Sequence, residues 1–143
     1  MKKTAIIAII SLFTSTYACK KPAGEGGVAA IKGTIYTRNY NSNFSNFLGQ
    51  YPGADLDVYI IYGDDVTFGD RTKSGPDGLF EFKHLRKGNY KIYVYSKDSV
   101  GTVGYPYSTT NPNVNAPDIA VFKDTEITKR KETVDVGTFT IFD

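Results

Sequence analysis

The chain has 143 residues, a formal net charge of +2 and one cysteine, which fits one ordinary domain with a short leader. A single Cys excludes a disulfide scaffold, and 14 scattered glycines exclude collagen. Eleven Tyr and nine Phe are too many aromatic residues for a disordered chain of low hydrophobicity.

The first 18 residues have the form of an export signal. Lys2 and Lys3 precede a mostly apolar run over residues 5–13, and the small residue Ala18 stands directly before Cys19. A basic start, a short apolar core and a small residue before the cleavage point are typical of a secretory signal peptide. The run is too short to span a membrane, which takes about 20 apolar residues. The sequence therefore predicts a signal peptide over residues 1–18.

Cys19 points to lipid attachment. Residues 16–19, Thr-Tyr-Ala-Cys, resemble the lipobox of bacterial lipoproteins of the Bacteroidetes type. The resemblance implies that Cys19 is acylated with palmitate-type chains and begins the mature protein. The protein would then be anchored in the bacterial cell envelope, at the outer membrane, with the periplasmic or the surface face left open. The alternative is an ordinary secreted protein with a free thiol. Residues 19–27 are predicted to be a flexible tether, because Gly and Pro without an apolar period cannot form a packed element.

From residue 28 onward, apolar and polar residues alternate at every second position, as is typical of β-strands. Turn residues separate seven predicted strands, at residues 28–37, 54–62, 67–74, 79–85, 90–96, 119–128 and 133–142. Residues 129–132 are predicted to be the turn of a hairpin between the last two. This pattern predicts an all-β fold, a single antiparallel seven-stranded β-sandwich over residues 28–143.

The last predicted strand contains a shift in its apolar positions. Val134 and Val136 stand at even-numbered positions, whereas Phe139 and Ile141 stand at odd-numbered ones, and Gly137 lies between the two pairs. An extra residue in a strand changes which side chains face the core. The sequence therefore predicts a β-bulge at Gly137.

Residues 72–94 carry a recognisable order of residue types: a Thr, an Asp-Gly turn, two aromatic residues at i and i+2, a Leu, then G-x-Y and alternating aliphatics, TKSGPDGLFEFKHLRKGNYKIYV. This stretch resembles the carboxypeptidase regulatory-like and Cna-B-like families, and residues 31–35 and 54–58 fit their first two strands. The resemblance covers residues 28–96. It implies a transthyretin-like or immunoglobulin-like seven-stranded sandwich with a structural or accessory role. Some Cna-B-like domains form a Lys–Asn isopeptide bond, for which Lys32 and Glu81 would be candidates, but the last strand has no Asn.

The residue inventory lacks a catalytic set. His84 is the only histidine, so triad, Cys–His and zinc sites are not expected. The acidic residues around the second predicted strand match no calcium-loop spacing and are interpreted as solvated turns: Asp55, Asp57, Asp64, Asp65 and Asp70. We therefore expect no enzyme, metal or cofactor. Asp98-Ser99-Val100 resembles the Bacteroidetes O-glycosylation acceptor, which makes Ser99 a candidate modification site.

The two longest predicted loops are expected to lie together. If successive strands reverse direction, residues 38–53, 75–78 and 97–118 connect at one end of the sandwich, and the N-terminal tether enters at the other. Long loops are often functional. Aromatic side chains among Asn and Ser suit sugars or a protein partner, although these rings could instead fold back to cap the core. The candidate ligand-binding residues are Tyr40, Phe44, Phe47, Tyr51, Tyr105 and Tyr107.

The predicted function is a non-catalytic binding module of the envelope, for a glycan or a protein. The alternative is an accessory subunit of an outer-membrane or cell-surface assembly that docks by a sheet face exposing Tyr59, Ile61, Tyr93 and Tyr95. Two of the 17 basic residues, Lys2 and Lys3, leave with the leader, so the mature chain has 15 basic and 15 acidic residues. This neutral balance gives no support to a nucleic-acid or anionic-surface partner.

Overall fold

The computed structural model describes residues 22–42, 44–99 and 118–143. Within these ranges the chain forms eight strands and no helix: β1 (Glu25–Tyr40), β2 (Phe47–Pro52), β3 (Asp57–Tyr62), β4 (Asp70–Lys73), β5 (Leu79–Leu85), β6 (Gly88–Lys97), β7 (Asp118–Ile127) and β8 (Thr133–Phe142). In this described part of the chain, no helix is long and apolar enough to cross a membrane.

The strands form two four-stranded sheets. In sheet A, the long strand β1 pairs with β5 along its first half and with β2 near its end, and β8 pairs with the opposite edge of β1. Sheet B has the order β4-β3-β6-β7 and is antiparallel throughout. The predicted all-β sandwich is confirmed.

Three details of the prediction are wrong. The described ranges contain eight strands rather than seven, because residues 47–52 form β2 instead of part of a loop. The pair β1–β8 is parallel, so the sandwich is not antiparallel throughout. Strands β7 and β8 do not form a hairpin: β7 belongs to sheet B and β8 to sheet A, and residues 128–132 cross between the sheets. A polar turn between two strands is compatible with either arrangement.

The core lies between the sheets and follows the predicted alternation. Its buried residues stand at alternate positions along the strands. They include Ile31 and Ile35 from β1, Val58 and Ile60 from β3, Phe80 and Phe82 from β5, Tyr90, Ile92 and Val94 from β6, and Phe139 and Ile141 from β8. Burial of these apolar side chains is the main source of stability, at about 25 cal/mol for each Å² removed from water.

Two β-bulges keep this alternation facing the core. The predicted bulge at Gly137 is confirmed: between the pairs Lys32–Asp135 and Thr34–Thr138, β8 has one residue more than β1, and Gly137 has a φ of 71°. A second bulge lies at His84, whose φ is 58°. It is the reason that Phe82 and Leu85, three residues apart, both face inward.

The two ends of the sandwich carry different connections. Tyr40, the end of β6 and the start of β7 lie at one end, here called the loop end, as predicted. Residues 22–24 and the β3–β4, β5–β6 and β7–β8 connections lie at the other, here called the N-terminal end. The predicted tether over residues 19–27 is too long, because β1 already begins at Glu25 and hydrogen bonds hold Pro22 and Gly24 to Arg86.

Candidate binding cleft at the loop end

The predicted loop aromatics divide between two surfaces. Tyr40, Phe44 and Phe47 pack together with Phe142 on the outer side of sheet A, with the Tyr40 ring centre 5.8, 5.4 and 5.9 Å from those of Phe44, Phe47 and Phe142. The Arg38 guanidinium lies over Tyr40 and Phe47, 5.7 and 5.3 Å from the ring centres. These rings therefore cover the end of sheet A, although Phe47 remains 47 % exposed.

Asn41 shapes the connection that carries this cluster. Its side-chain oxygen accepts a hydrogen bond from the Asn46 amide at 2.9 Å, and its backbone carbonyl accepts one from the Phe44 amide at 2.9 Å. Asn side chains commonly stabilise turns in this way. Phe44 has a φ of 54°, so its ring position depends on a left-handed backbone that few residues adopt.

Tyr51 lies on the opposite side of the sheet. It is paired with the buried Thr37 across β1 and β2, and therefore faces the gap between the two sheets. There it lines a cleft of about 290 Å³, close to the lower limit of ligand pockets. We call this the end cleft. Its lining includes Tyr51, Lys97, Asp118 and Asp143, together with Tyr95 and Phe142, whose rings pack on the outer sides of the two sheets.

Polar groups converge on the end cleft from both sheets. The Tyr51 hydroxyl donates to Asp143 Oδ2 at 3.4 Å, and burial together with the Asp143 carboxylate raises the pKa of Tyr51. From the other sheet, Lys97 Nζ pairs with Asp118 Oδ1 at 2.8 Å. The cleft thus combines the Tyr51 ring with hydroxyl, carboxylate and ammonium groups, which can donate to and accept from a polar ligand.

Buried serines fix the walls of the cleft. Ser96 Oγ accepts a hydrogen bond from the Phe142 amide at 2.9 Å, which ties sheet B to β8. Ser74 Oγ donates to the Gly53 carbonyl at 2.6 Å and accepts from the Leu56 amide at 3.0 Å. A Cβ at Gly53 would lie only 2.6 Å from the Ile35 side chain, so no larger residue fits this wall. The cleft is therefore supported by rigid, buried contacts.

A second aromatic surface covers the outer side of sheet B. Tyr59 stacks on Tyr93, with ring centres 4.8 Å apart and an angle of 11°, and Phe68 packs edge-on against Tyr59 at 5.1 Å. Tyr95 and Phe122 extend the row from Tyr93, at 5.8 and 5.1 Å. Phe68, Tyr95 and Phe122 are each about half exposed. We call these five residues the aromatic face.

Several residues of these surfaces were not predicted from the sequence. The sequence does contain a signal for Phe122, because its side chain and those of its neighbours Val121 and Lys123 point alternately to the two sides of β7. It contains no such signal for Phe68, which lies in a turn. Arg38 and Phe142 join the loop aromatics only through the pairing of β1 with β8. The pair Lys97–Asp118 depends on the register of β6 and β7. Ile61, named for the sheet face, is partly buried.

The remaining candidate residues are not among those that line the cleft in the described part of the chain. Cys19, Tyr105 and Tyr107 lie outside the described residues, and their roles stay predictions. Ser99 is partly buried beside the fully buried Asp98, and its glycosylation also stays a prediction. His84 is exposed in its bulge.

Two of the acidic residues considered for a calcium site form ion pairs. Asp55 pairs with Lys73 at 3.0 Å and Asp57 with Arg71 at 3.8 Å. Lys32 and Glu81, the isopeptide candidates, pair instead with Asp135 and Lys83. Residues 22–42, 44–99 and 118–143 contain no group of three or more metal-ligating side chains.

Comparisons with known proteins give only distant similarities. No family model matches the chain, and no curated protein matches it. Similar solved structures include a "putative carbohydrate binding protein" from Pseudomonas aeruginosa, with a TM-score of 0.45, 13% identity, and coverage of 85% of this chain and 92% of that one.

Two further solved structures are also distantly similar. An (S)-allantoin synthase has a TM-score of 0.40 and 8% identity, with 84% of this chain and 43% of that chain covered. Fervidolysin from Fervidobacterium pennivorans has a TM-score of 0.37 and 17% identity, with 78% and 16% covered. At these values the similarities carry no argument about function.

Proposed function

We propose that this protein is a lipid-anchored binding protein of the bacterial cell envelope that takes a glycan in the end cleft. The observation that carries the proposal is the convergence of Tyr51, Asp143, Lys97 and Asp118 on one cleft at the loop end. The proposed role is binding rather than catalysis.

The chemistry of the end cleft suits a sugar. A sugar ring presents C–H groups that pack on aromatic rings, and hydroxyl groups that both donate and accept hydrogen bonds. Tyr51 supplies a ring, while Asp143 and the Lys97–Asp118 pair supply acceptors and a donor. The cleft volume of about 290 Å³ fits a terminal sugar residue better than a long chain bound along its length.

Anchoring at Cys19 would determine which way the cleft faces. Residues 22–24 lie at the N-terminal end, so a lipid on Cys19 would place the end cleft on the side of the domain away from the membrane. The expected acylation is tested by labelling with palmitate: the label should be lost in Cys19→Ser, and unchanged labelling would contradict the anchor.

A glycan array with a fragment beginning at Lys20 tests the binding site. This fragment contains every described strand. We expect Tyr51→Ala to weaken any glycan found by about tenfold, the combined effect of one ring contact and one hydrogen bond. Tyr51→Phe keeps the ring and should weaken binding less. Phe122→Ala is the matched control on the aromatic face, and should leave affinity unchanged.

The aromatic face supports the second candidate, an accessory subunit that docks by sheet B. Its support is the continuous row of five rings, three of them about half exposed. Such a surface is larger than the scattered apolar residues of ordinary monomers. The same array separates the two candidates: binding lost in Phe122→Ala and retained in Tyr51→Ala would reject the end cleft and favour the aromatic face.

A further inference from the structure

The N-terminal segment is bound to the domain up to Pro22. Arg86 Nε donates to the Pro22 carbonyl at 2.8 Å, and the Arg86 amide donates to the Gly24 carbonyl at 2.8 Å. The buried Tyr90 hydroxyl accepts from the Gly24 amide at 2.9 Å and donates to the Arg86 carbonyl at 2.6 Å. The segment is thus held by its backbone on two sides, and its position relative to the sandwich is fixed.

This leaves a very short spacer to Cys19. Only Lys20 and Lys21 lie between Cys19 and Pro22, and three residue steps span at most about 11 Å. A lipid on Cys19 therefore cannot let the domain move far from the bilayer. The N-terminal end of the sandwich must lie at the headgroups.

The connections at this end carry a cluster of basic side chains. Lys87 lies in the β5–β6 connection, and Lys129, Arg130 and Lys131 lie in the β7–β8 connection; all four are exposed. The pairing of Gly88 with Ile127 brings these two connections side by side. Within the described residues none of the four side chains forms an ion pair. The one carboxylate of these connections, Glu132, accepts hydrogen bonds from its own turn.

We propose that this basic cluster, Lys87 and Lys129–Lys131, contacts anionic phospholipid headgroups and sets the orientation of the anchored domain. The inference rests on the proposed anchoring at Cys19. Two signals, acyl chains and a basic cluster, hold a protein at a membrane more stably than one. The mature chain is neutral as a whole, but the fold places these cations together and directs them at one surface.

Acidic residues at the same end define the tilt. Asp64 and Asp65 lie in the β3–β4 connection, and β3 and β7 lie on opposite sides of β6. Repulsion from anionic headgroups turns this connection away, and the side of β7 turns toward the bilayer. Glu25 also lies at this end, where it accepts a hydrogen bond from the Tyr62 hydroxyl at 3.3 Å.

The first experiment does not depend on acylation. The fragment beginning at Lys20 is mixed with vesicles of phosphatidylcholine, with and without phosphatidylglycerol. We expect the fragment to bind only to the anionic vesicles, and salt should suppress this binding. The triple variant Lys129→Gln/Arg130→Gln/Lys131→Gln should bind more weakly, by about fivefold for each charge removed. The matched control removes three cations from elsewhere on the domain, Lys32→Gln/Lys73→Gln/Lys83→Gln, and should bind as the unmodified fragment does. Equal loss in both triple variants, or equal binding to both vesicles, would overturn the basic surface.

The second experiment tests the orientation of the full acylated chain on vesicles. A fluorophore at position 130 should be quenched by a headgroup quencher more strongly than one at position 50, and a Gly-Ser spacer inserted between Lys21 and Pro22 should reduce that difference. Equal quenching at both positions would overturn the orientation. If Cys19→Ser stays on membranes as the original chain does, the anchor itself is wrong, and the first experiment still decides the basic surface.

Discussion

The hydroxyl of Tyr90 offers a sharp test of how the N-terminal segment is held. Tyr90 is 2 % exposed, and its hydroxyl bonds both the Gly24 amide and the Arg86 carbonyl. Tyr90→Phe removes one oxygen and leaves both backbone groups without this partner. Leaving a buried polar group unsatisfied costs about 1–3 kcal/mol, so we expect a loss of about 2 kcal/mol in the free energy of unfolding. For a domain of this size the melting temperature should fall by about 6–10 °C.

The neighbouring Tyr62 supplies a matched control. Its ring packs edge-on against Tyr90 with centres 5.9 Å apart, but its hydroxyl donates to the exposed Glu25 carboxylate. Tyr62→Phe should therefore cost less than about 0.5 kcal/mol, as an exposed hydrogen bond exchanges readily with water. Urea unfolding gives both values, and hydrogen exchange should show lost protection at the Gly24 amide in Tyr90→Phe alone. If the two variants were equally stable, the Tyr90 hydroxyl would not be what holds the N-terminal segment.

Three further changes test other parts of the fold. His84→Gly should leave stability unchanged or raise it by about 0.5 kcal/mol, because Gly accepts the positive φ of the bulge; a clear loss in thermal unfolding would mean that the side chain has a role. The turn amides that donate to the Glu132 carboxylate lower its pKa below the ordinary 4.5. The contribution of this carboxylate to stability is therefore present above pH 4.5 and disappears as the pH falls through the pKa of the folded state. The difference in stability between the original chain and Glu132→Gln should shrink over that range, and a difference that stays constant with pH would contradict this. Lys123→Met keeps an apolar stem but removes the donor to two β8 carbonyls at 2.7 and 2.9 Å, so urea unfolding should show a loss of about 1 kcal/mol, and no loss would mean that water replaces the ammonium.

The strands with clear alternation were predictable. The bounds of β5 and β8, Leu79–Leu85 and Thr133–Phe142, are those predicted, because period-2 burial leaves a local pattern. Strand β2 was missed because Phe-Leu-Gly-Gln-Tyr-Pro lacks that pattern and is exposed along almost its whole length. It is a strand because the end of β1 extends beyond β5 and offers an unpaired edge.

The candidate site was predictable only in its location. Reversing strand directions predict that residues 38–53 and the 97–118 connection lie at the same end, and the structure places Tyr40, Lys97 and Asp118 at that end. The separation of Tyr51 from Tyr40 and Phe47 was not predictable, because it follows from the register with β1 and from an irregularity between Asn39 and Tyr40. A shift of one residue moves a side chain to the other side of a sheet.

The sequence by itself determined the β class, the inward-facing residues and the bulge at Gly137, since each is a pattern among neighbouring residues. It also predicted the export leader and Cys19. Only the tertiary structure decided that β8 lies parallel to β1, that β7 and β8 belong to different sheets, and that Tyr51 and Asp143 meet Lys97 and Asp118 in one cleft. The physical reason is that every strand offers the same backbone donors and acceptors on both edges. Which edges pair is decided by packing of the whole core.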